Sequence, residues 1–446
     1  MASYTRTSSD LDKYLGLEFY ALASPGTGGR LKESLEDFLV QEVSIDGEVA
    51  SPKCSYVEGG GQYTWLVLEK RKIDTVAAVK IVAKHFGLRL KDVGIAGLKD
   101  TNAVTYQFIS LQADVTKEMI EEFNSKHSYI KLHCPMKRPF SLRPGLLNGN
   151  YFTIKVREVD CLNCLEDLVE ELSEKKMVPN YYGYQRFGSI RPVTHIVGKK
   201  ILKGEYKEAI DELLLRIFPG ESENSQKARS FLKETGDYQQ ALEIFPKTLR
   251  SERTIIRYLA KHPGDYVGAL RSISSYIKKL FIGAYQAYLF NRLLSKRMEY
   301  GLSYIYPSPG DSVGIFRSIS QPVITGLLRV NETNVSKVRE WIDRGQAALV
   351  LPVFGYRSQL SLGRVGDIEK ELLREEEIDI SLFRLKSIPE ASSAGTYRMA
   401  ALKPMGLEHQ VFGNSYEIKF RLYKGMYATV LLREFIKPSD PAKQGF

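Results

Sequence analysis

A chain of 446 residues is long for one hydrophobic core and suggests two or three domains. Its 43% hydrophobic and 26% charged residues exclude a disordered polymer; the polar, mixed-charge start from Met1 to Tyr14 excludes a signal peptide, and no apolar run approaches the roughly 18 residues of a membrane span. The expectation is a cytoplasmic protein, and 63 Lys plus Arg against 53 Asp plus Glu, a net +10, favours an anionic partner.

In chain order, Gly26-Thr27-Gly28-Gly29 comes first and, with Gly59-Gly60-Gly61, invites a phosphate-loop reading. Neither piece is followed by Lys-Ser/Thr or joins a clear strand to a clear helix, so both read as turns. Leu31 to Val43 reads as extended, with Phe38, Val40 and Glu42 on one face, and Tyr63 to Leu68 as a second strand. Asp74 then caps a helix in which Val76, Val79, Val82 or Ala83 and Phe86 recur at helical spacing, and Gly87 ends it.

The segment from Gly94 to Gln107 places one carboxylate, Asp100, in a glycine-punctuated turn between two strand-like runs. Val93 and Ile95 precede it, and Val104, Tyr106 and Phe108 alternate with Thr105, Gln107 and Ile109 after it. Displayed at a strand end, Asp100 is either a catalytic group or an ordinary turn former bonded to its own backbone, and spacing leaves both readings open.

From Lys131 to Arg157 there are six basic residues (Lys131, Lys137, Arg138, Arg143, Lys155 and Arg157) and no acidic one, interleaved with Phe140, Tyr151 and Phe152. Such a tract suits a phosphate backbone with bases stacking on aromatics. Phe152, Ile154 and Val156 mark another strand, and Leu165 to Lys176 a helix. Val178 to Gly188 follows, dense in aromatics with Asn180, Gln185 and Arg186, and reads either as a base-binding surface or as an aromatic core turn.

From about 190 to 390 the texture is helical: Ser225 to Glu234, Arg253 to Lys261, a long run from about Tyr266 to Tyr300, Val335 to Arg344 and Asp367 to Glu377, with strand-like Leu349 to Phe354 between. The last fifty residues return to alternation, with Ile418, Phe420 and Leu422 on one face and then Val430 to Phe435, so the helical part reads as an insertion. Cys54, Cys134, Cys161 and Cys164 are too scattered for a disulfide framework, the lone Cys161-Leu162-Asn163-Cys164 lacks a second ligand pair, and the six histidines form no cluster.

Four separated segments together resemble the TruD family of RNA pseudouridine synthases: Glu36 to Glu42; Gly97-Leu98-Lys99-Asp100 through Gln107; Leu142-Arg143-Pro144-Gly145 with Asn148 to Phe152; and Pro179 to Gly183 with Gln185 to Gly188. Ala287-Tyr288-Leu289-Phe290-Asn291 is a fifth, weaker match. The resemblance implies an α+β pseudouridine-synthase catalytic domain, a mixed, mostly antiparallel sheet with flanking helices, formed by 1–189 and 396–446 and carrying an inserted α/β TRUD domain at 190–395. It implies a tRNA substrate, typically uridine 13, and neither metal nor organic cofactor.

Carried over residue by residue, the resemblance makes Asp100 the catalytic aspartate, Lys32 its electrostatic partner, and Phe38, Asn180 and Tyr182 the base-binding group. Tyr182 stands where other members have Phe, which keeps a stacking ring and adds a hydroxyl. Lys137, Arg138, Arg143 and Arg186 are the candidate RNA-binding cations. A uridine must leave its stack to be reached, and its detached base must be kept from water. Asp100 could attack C1′, add to the uracil ring, or remove the C2′ proton toward a glycal, the route favoured here. A non-catalytic RNA-binding or RNA-folding protein using the same basic surface is the alternative, and a nucleotide-binding enzyme rests only on the glycine-rich turns.

Overall fold

Burial alternates along Phe38–Val43: Phe38 and Val40 enter the core while Leu39 and Gln41 are half-buried. The computed structural model describes residues 4–54, 59–318 and 322–446. Its larger sheet runs Met405–Phe412, Ser415–Tyr423, Gly149–Val156, Phe38–Val43, Val104–Leu111, Tyr63–Arg71, Ile130–Arg138, with Val93–Ile95 pairing beside Val104–Leu111. All of these pairs are antiparallel except Phe38–Val43 with Val104–Leu111. The architecture is thus the expected mixed α+β one.

The strand period of two sends alternate residues to opposite faces. On Tyr63–Arg71, Leu66 and Leu68 pack against helices Thr75–His85 and Lys117–Lys126, while Trp65 and Val67 meet Phe108 and Met136 on the other side. Across the sheet, Phe38, Phe152, Ile154, Ile418 and Phe420 join one continuous core with helices Asn163–Lys175, Ser275–Glu299 and Ala428–Ile436. That core runs on into the helical middle of the chain without a break.

A smaller antiparallel sheet has the order Ile324–Arg329, Ser312–Phe316, Ala347–Val353, Thr396–Met399. Immediately after its last strand, Ala401–Leu402 pairs with Val178–Pro179. Segment 396–402 therefore ties the small sheet to the chain entering Asn180.

Several elements depart from the sequence expectations. Extended backbone starts only at Phe38, because Ser34 and Asp37 cap a short helical turn over Leu35–Asp37. The helix behind Asp74 buries Ala78, Val79, Val82 and Ala83 and leaves Val76 41% exposed, so its apolar face is rotated from the expected one. The run from Tyr266 to Tyr300 is two helices, Tyr266–Ser272 and Ser275–Glu299, because the Ser274 side chain accepts the Ile277 N–H and starts a new one.

Val430 to Phe435 is helix, part of Ala428–Ile436. Every residue of that helix is buried, Arg433 and Glu434 included, and a run buried on every side has no exposed polar face whose period would separate helix from strand. Part of the basic tract is a sheet strand, Ile130–Arg138. The four cysteines, read as too scattered for a disulfide framework, form two disulfides, Cys54–Cys134 and Cys161–Cys164; the first spans 80 positions, a separation only tertiary structure can close. Among the described residues no helix is long and apolar enough to cross a membrane.

Candidate active site

The loop carrying Asp100 is held from beneath. Thr75 Oγ1 accepts the Lys99 N–H at 3.0 Å and donates to Gln107 Oε1 at 3.1 Å, tying the loop to a helix start and to the following strand. Lys99 turns inward, with Nζ 2.8 Å from Glu42 Oε2 and 2.6 Å from Asn150 Oδ1. Burial pushes the Glu42 carboxyl up and the Lys99 charge draws it back. Lys70, fully buried, donates to the Asp100 backbone carbonyl and, at 3.0 Å, to that of Ile73. With the inward positions anchored, the Asp100 side chain stays exposed.

Two cations act on that carboxylate. Burial lowers the Lys32 pKa and Asp100 raises it back in part. Burial likewise lowers Lys70 to about 8, against the pull of Asp100 and Asp74 and together with repulsion from Lys99. Lys32 adopts φ 58°, a left-handed conformation that costs a non-glycine residue free energy and persists only where surroundings enforce it. Leu31 N–H bonds to Gln444 O at 2.9 Å just before it, and Lys32 Nζ lies 4.9 Å from the centre of the Phe38 ring. The parallel register Leu39↔Val104 brings Phe38 to the end of the Asp100 loop.

Asn180 and Tyr182 are fixed by residues from far along the chain. Asn180 Nδ2 donates to Met399 O at 2.8 Å, and its Oδ1 accepts from Arg398 Nη2 at 2.8 Å. Arg398 also donates to Asn180 O, Tyr181 O and Gly425 O, and its Cζ sits 4.1 Å from the centre of the Tyr182 ring. Desolvation lowers the Arg398 pKa, opposed by Tyr182 and Tyr427. Asn291 clamps the backbone of Tyr182, accepting its N–H at 2.7 Å and donating to its carbonyl at 3.1 Å. Gly183 is closely approached, and a Cβ there would stand 3.0 Å from Tyr427 Cδ1 and Thr429 Oγ1 and press on both.

Tyr427 joins the two groups. Its ring centre is 6.1 Å from that of Tyr182, and its pKa is raised by burial, then lowered by Arg398 and Arg186 and raised by Tyr182 and Asp100. Asn180, Tyr182 and Arg398 line a cavity of about 550 Å³ whose wall also includes Asn148, Tyr423 and Gly425. Asp100, Lys32 and Phe38 are not part of that wall, but Asp100 is within electrostatic reach of Tyr427. The arrangement can present one exposed carboxylate within electrostatic reach of two lysines, with an aromatic and amide-bearing pocket nearby.

The candidate RNA-binding cations are dispersed. Arg186 lies beside Tyr182, its Cζ 6.0 Å from the centre of that ring, without lining the cavity. Lys137 pairs with Asp114, and Arg138 makes two bonds to Glu48 at 2.8 and 2.9 Å. Arg143 is exposed. The sequence reading missed Arg398, Tyr427 and Lys70, and it gave no role to Asn291, which closes the fifth matching segment. Lys70 left a trace: it shares its strand face with Leu66 and Leu68, where a lysine is out of place. Arg398 left none, because Asn180 and Tyr181, which it holds, lie over 200 positions upstream.

A family model described as tRNA pseudouridine synthase D (TruD) matches residues 14–435. A Pyrobaculum aerophilum protein named "Probable tRNA pseudouridine synthase D" is 38% identical over 439 residues, 98% of each chain. One of the same name from Pyrococcus abyssi is 39% identical over 418 residues, 94% of this chain and 98% of its own. The crystal structure of a Methanosarcina mazei protein that carries the name tRNA pseudouridine synthase D is similar with a TM-score of 0.80 and 30% identity, covering 97% of this chain and 98% of that one.

Proposed function

This chain belongs to the TruD family of tRNA pseudouridine synthases, a family of isomerases, and from that premise we propose that it converts uridine 13 of tRNA to pseudouridine with Asp100 as the catalytic carboxylate. The observation that carries the proposal is the presentation of Asp100 on an anchored loop, within electrostatic reach of Lys32, Lys70 and Tyr427. The target uridine leaves its stack and enters the cavity beside Tyr182, whose ring and the Arg398 guanidinium form one stacked face. Asn180 keeps one N–H and one lone pair free of the protein bonds it makes, enough to meet the N3–H and a carbonyl of uracil.

In the reaction the N1–C1′ bond breaks, the uracil turns, and a C5–C1′ bond forms while the C5 proton is lost and N1 gains one. Asp100 removes the C2′ proton on the way to a glycal and returns it afterwards; Lys32 and Lys70 keep the carboxylate ionised while RNA covers it. Phe38 packs the Lys32 stem and helps keep water from the detached base. Arg143 and Arg186 take RNA phosphates, while Lys137 and Arg138 must exchange Asp114 and Glu48 for phosphate to do the same.

The division into a catalytic part, 1–189 with 396–446, and an inserted TRUD part, 190–395, belongs to the same proposal. So does a cytoplasmic location, against which the two disulfides stand as the contrary observation, since such bonds are rare in reducing compartments. Mapping pseudouridine in unmodified tRNA after incubation with the pure protein tests the assignment. Modification at position 13 is the expected result; binding without any pseudouridine would replace it with the non-catalytic RNA-binding reading. Deuterium at C2′ should slow the conversion, and an unchanged rate in single turnover would exclude the glycal route.

A further inference from the structure

Beside the cavity lined by Asn180, Tyr182 and Arg398 lies a second one of about 620 Å³, and the two share Met399, Tyr423 and Met426 in their walls. We propose that this second cavity holds a second unstacked nucleobase of the same RNA, a neighbour of the target uridine. The inference rests on the reading of the first cavity as the uridine site. The volume is that of a small-molecule site and leaves room for a base with its ribose.

The wall chemistry fits a base. Tyr304, Tyr306, Phe316 and Tyr423 supply aromatic faces, and two of them are fixed by their hydroxyls: Tyr304 donates to Met177 O at 2.9 Å and Tyr306 to Asp343 Oδ1 at 2.6 Å. A ring held in place loses little freedom when a base stacks on it. Four of the eight methionines of the chain, Met177, Met399, Met405 and Met426, line the same space. Their flexible, polarisable thioethers make an adaptable floor, so the pocket should require a base without reading its identity sharply.

Charge points to nucleic acid over an apolar metabolite. Lys176 and Lys403 line this cavity, are exposed, and form no ion pair among the described residues; Lys424, also exposed, lines the first. A backbone passing from one cavity to the other would meet these ammonium groups with its phosphates. Two carboxylates, Glu174 and Asp343, also line the wall, and Asp343 keeps its charge while accepting the Tyr306 hydroxyl, so the phosphate path runs past the exposed lysines and away from these two groups.

The test uses RNA in which each nucleotide flanking the target is made abasic, one position at a time, with turnover followed in wild type and Tyr306→Ala. Stacking of one base on an aromatic ring accounts for about tenfold. Wild-type kcat/KM should therefore fall about tenfold for one flanking position and less than about threefold for the others. Tyr306→Ala should lose about tenfold on intact RNA and no longer distinguish it from RNA abasic at that position. Met405→Trp, which fills the cavity in place of removing its wall, should show the same loss of discrimination. Equal turnover of all abasic RNAs by wild type, or discrimination retained in both variants, would overturn the second-base pocket alone. Absence of pseudouridine with intact RNA and wild-type protein would instead overturn the reading of the first cavity and this inference with it.

Discussion

The charges around Arg433 are fully buried, whereas Asp100 is exposed above two lysines drawn into the protein, and the two groups are satisfied to different degrees. Arg433 and Asp12 are fully buried and paired at 2.7 Å. Arg433 also donates from Nη2 to Leu17 O and from Nη1 to Phe19 O, and Asp12 accepts Tyr184 and Thr7 hydroxyls at 2.6 and 2.8 Å. Burial works against the Arg433 charge, yet Asp12 and the surrounding tyrosines hold its pKa above the ordinary arginine value. Around Asp100, by contrast, Lys32 and Lys70 are pulled below theirs, and no ion pair closes on the carboxylate among the described residues. A closed network fixes a fold, whereas an open one keeps its charge available for something that is not protein.

Breaking the closed network should give the largest effect on stability. Arg433→Met leaves Asp12 buried without its counter-charge and should cost about 3–5 kcal/mol in denaturant unfolding, while the double change with Asp12→Leu should recover much of it. A single-variant loss below about 1 kcal/mol would show that the pair relaxes into solvent and is not the structural pole of the contrast.

Arg398→Lys probes the border between the two regions. It keeps a cation but not the planar fork that bonds Asn180, Tyr181 and Gly425 and stacks on Tyr182. The expected loss in kcat/KM is about 10- to 100-fold, or ~1.4–2.7 kcal/mol, with an almost unchanged melting temperature. Unaltered turnover would remove Arg398 from the positioning of Asn180.

The smallest effect is one of pH. Lys70 is held near 8 in the fold against about 10.4 when unfolded, so between those values the unfolded chain binds more protons and the contribution of this group to stability rises with pH. Activity should move the other way, falling above about pH 8 as the ammonium beside Asp100 is lost. In Lys70→Met that alkaline limb should vanish, and a limb that survives unchanged would assign it to another group.

How much of this was readable in the sequence follows from how far each contact reaches along the chain. The strand–turn–strand around Asp100 was legible because its pattern is local: Val93–Ile95 and Val104–Leu111 carry their own period and pair directly. Lys32 and Phe38 were placed by resemblance; neither the parallel register that brings Phe38 to the Asp100 loop nor the Leu31–Gln444 bond beside Lys32 has a local signature. Ala428–Ile436 was misread because burial on every side erases periodicity, and it carries Arg433 and Glu434 within that buried run. The basic tract was read as free charge, but Arg138 and Arg157 are spent on Glu48 and Asp37, partners that only folding delivers.

The central claim is that the open charge at Asp100 does chemistry and not folding, and Asp100→Asn tests it most directly because the exchange removes the charge while keeping the shape. Single-turnover pseudouridine formation should fall by about 10³-fold or more, with tRNA affinity within about tenfold of wild type and the melting temperature unchanged. Turnover within tenfold of wild type would contradict the account and return Asp100 to the role of an ordinary turn residue.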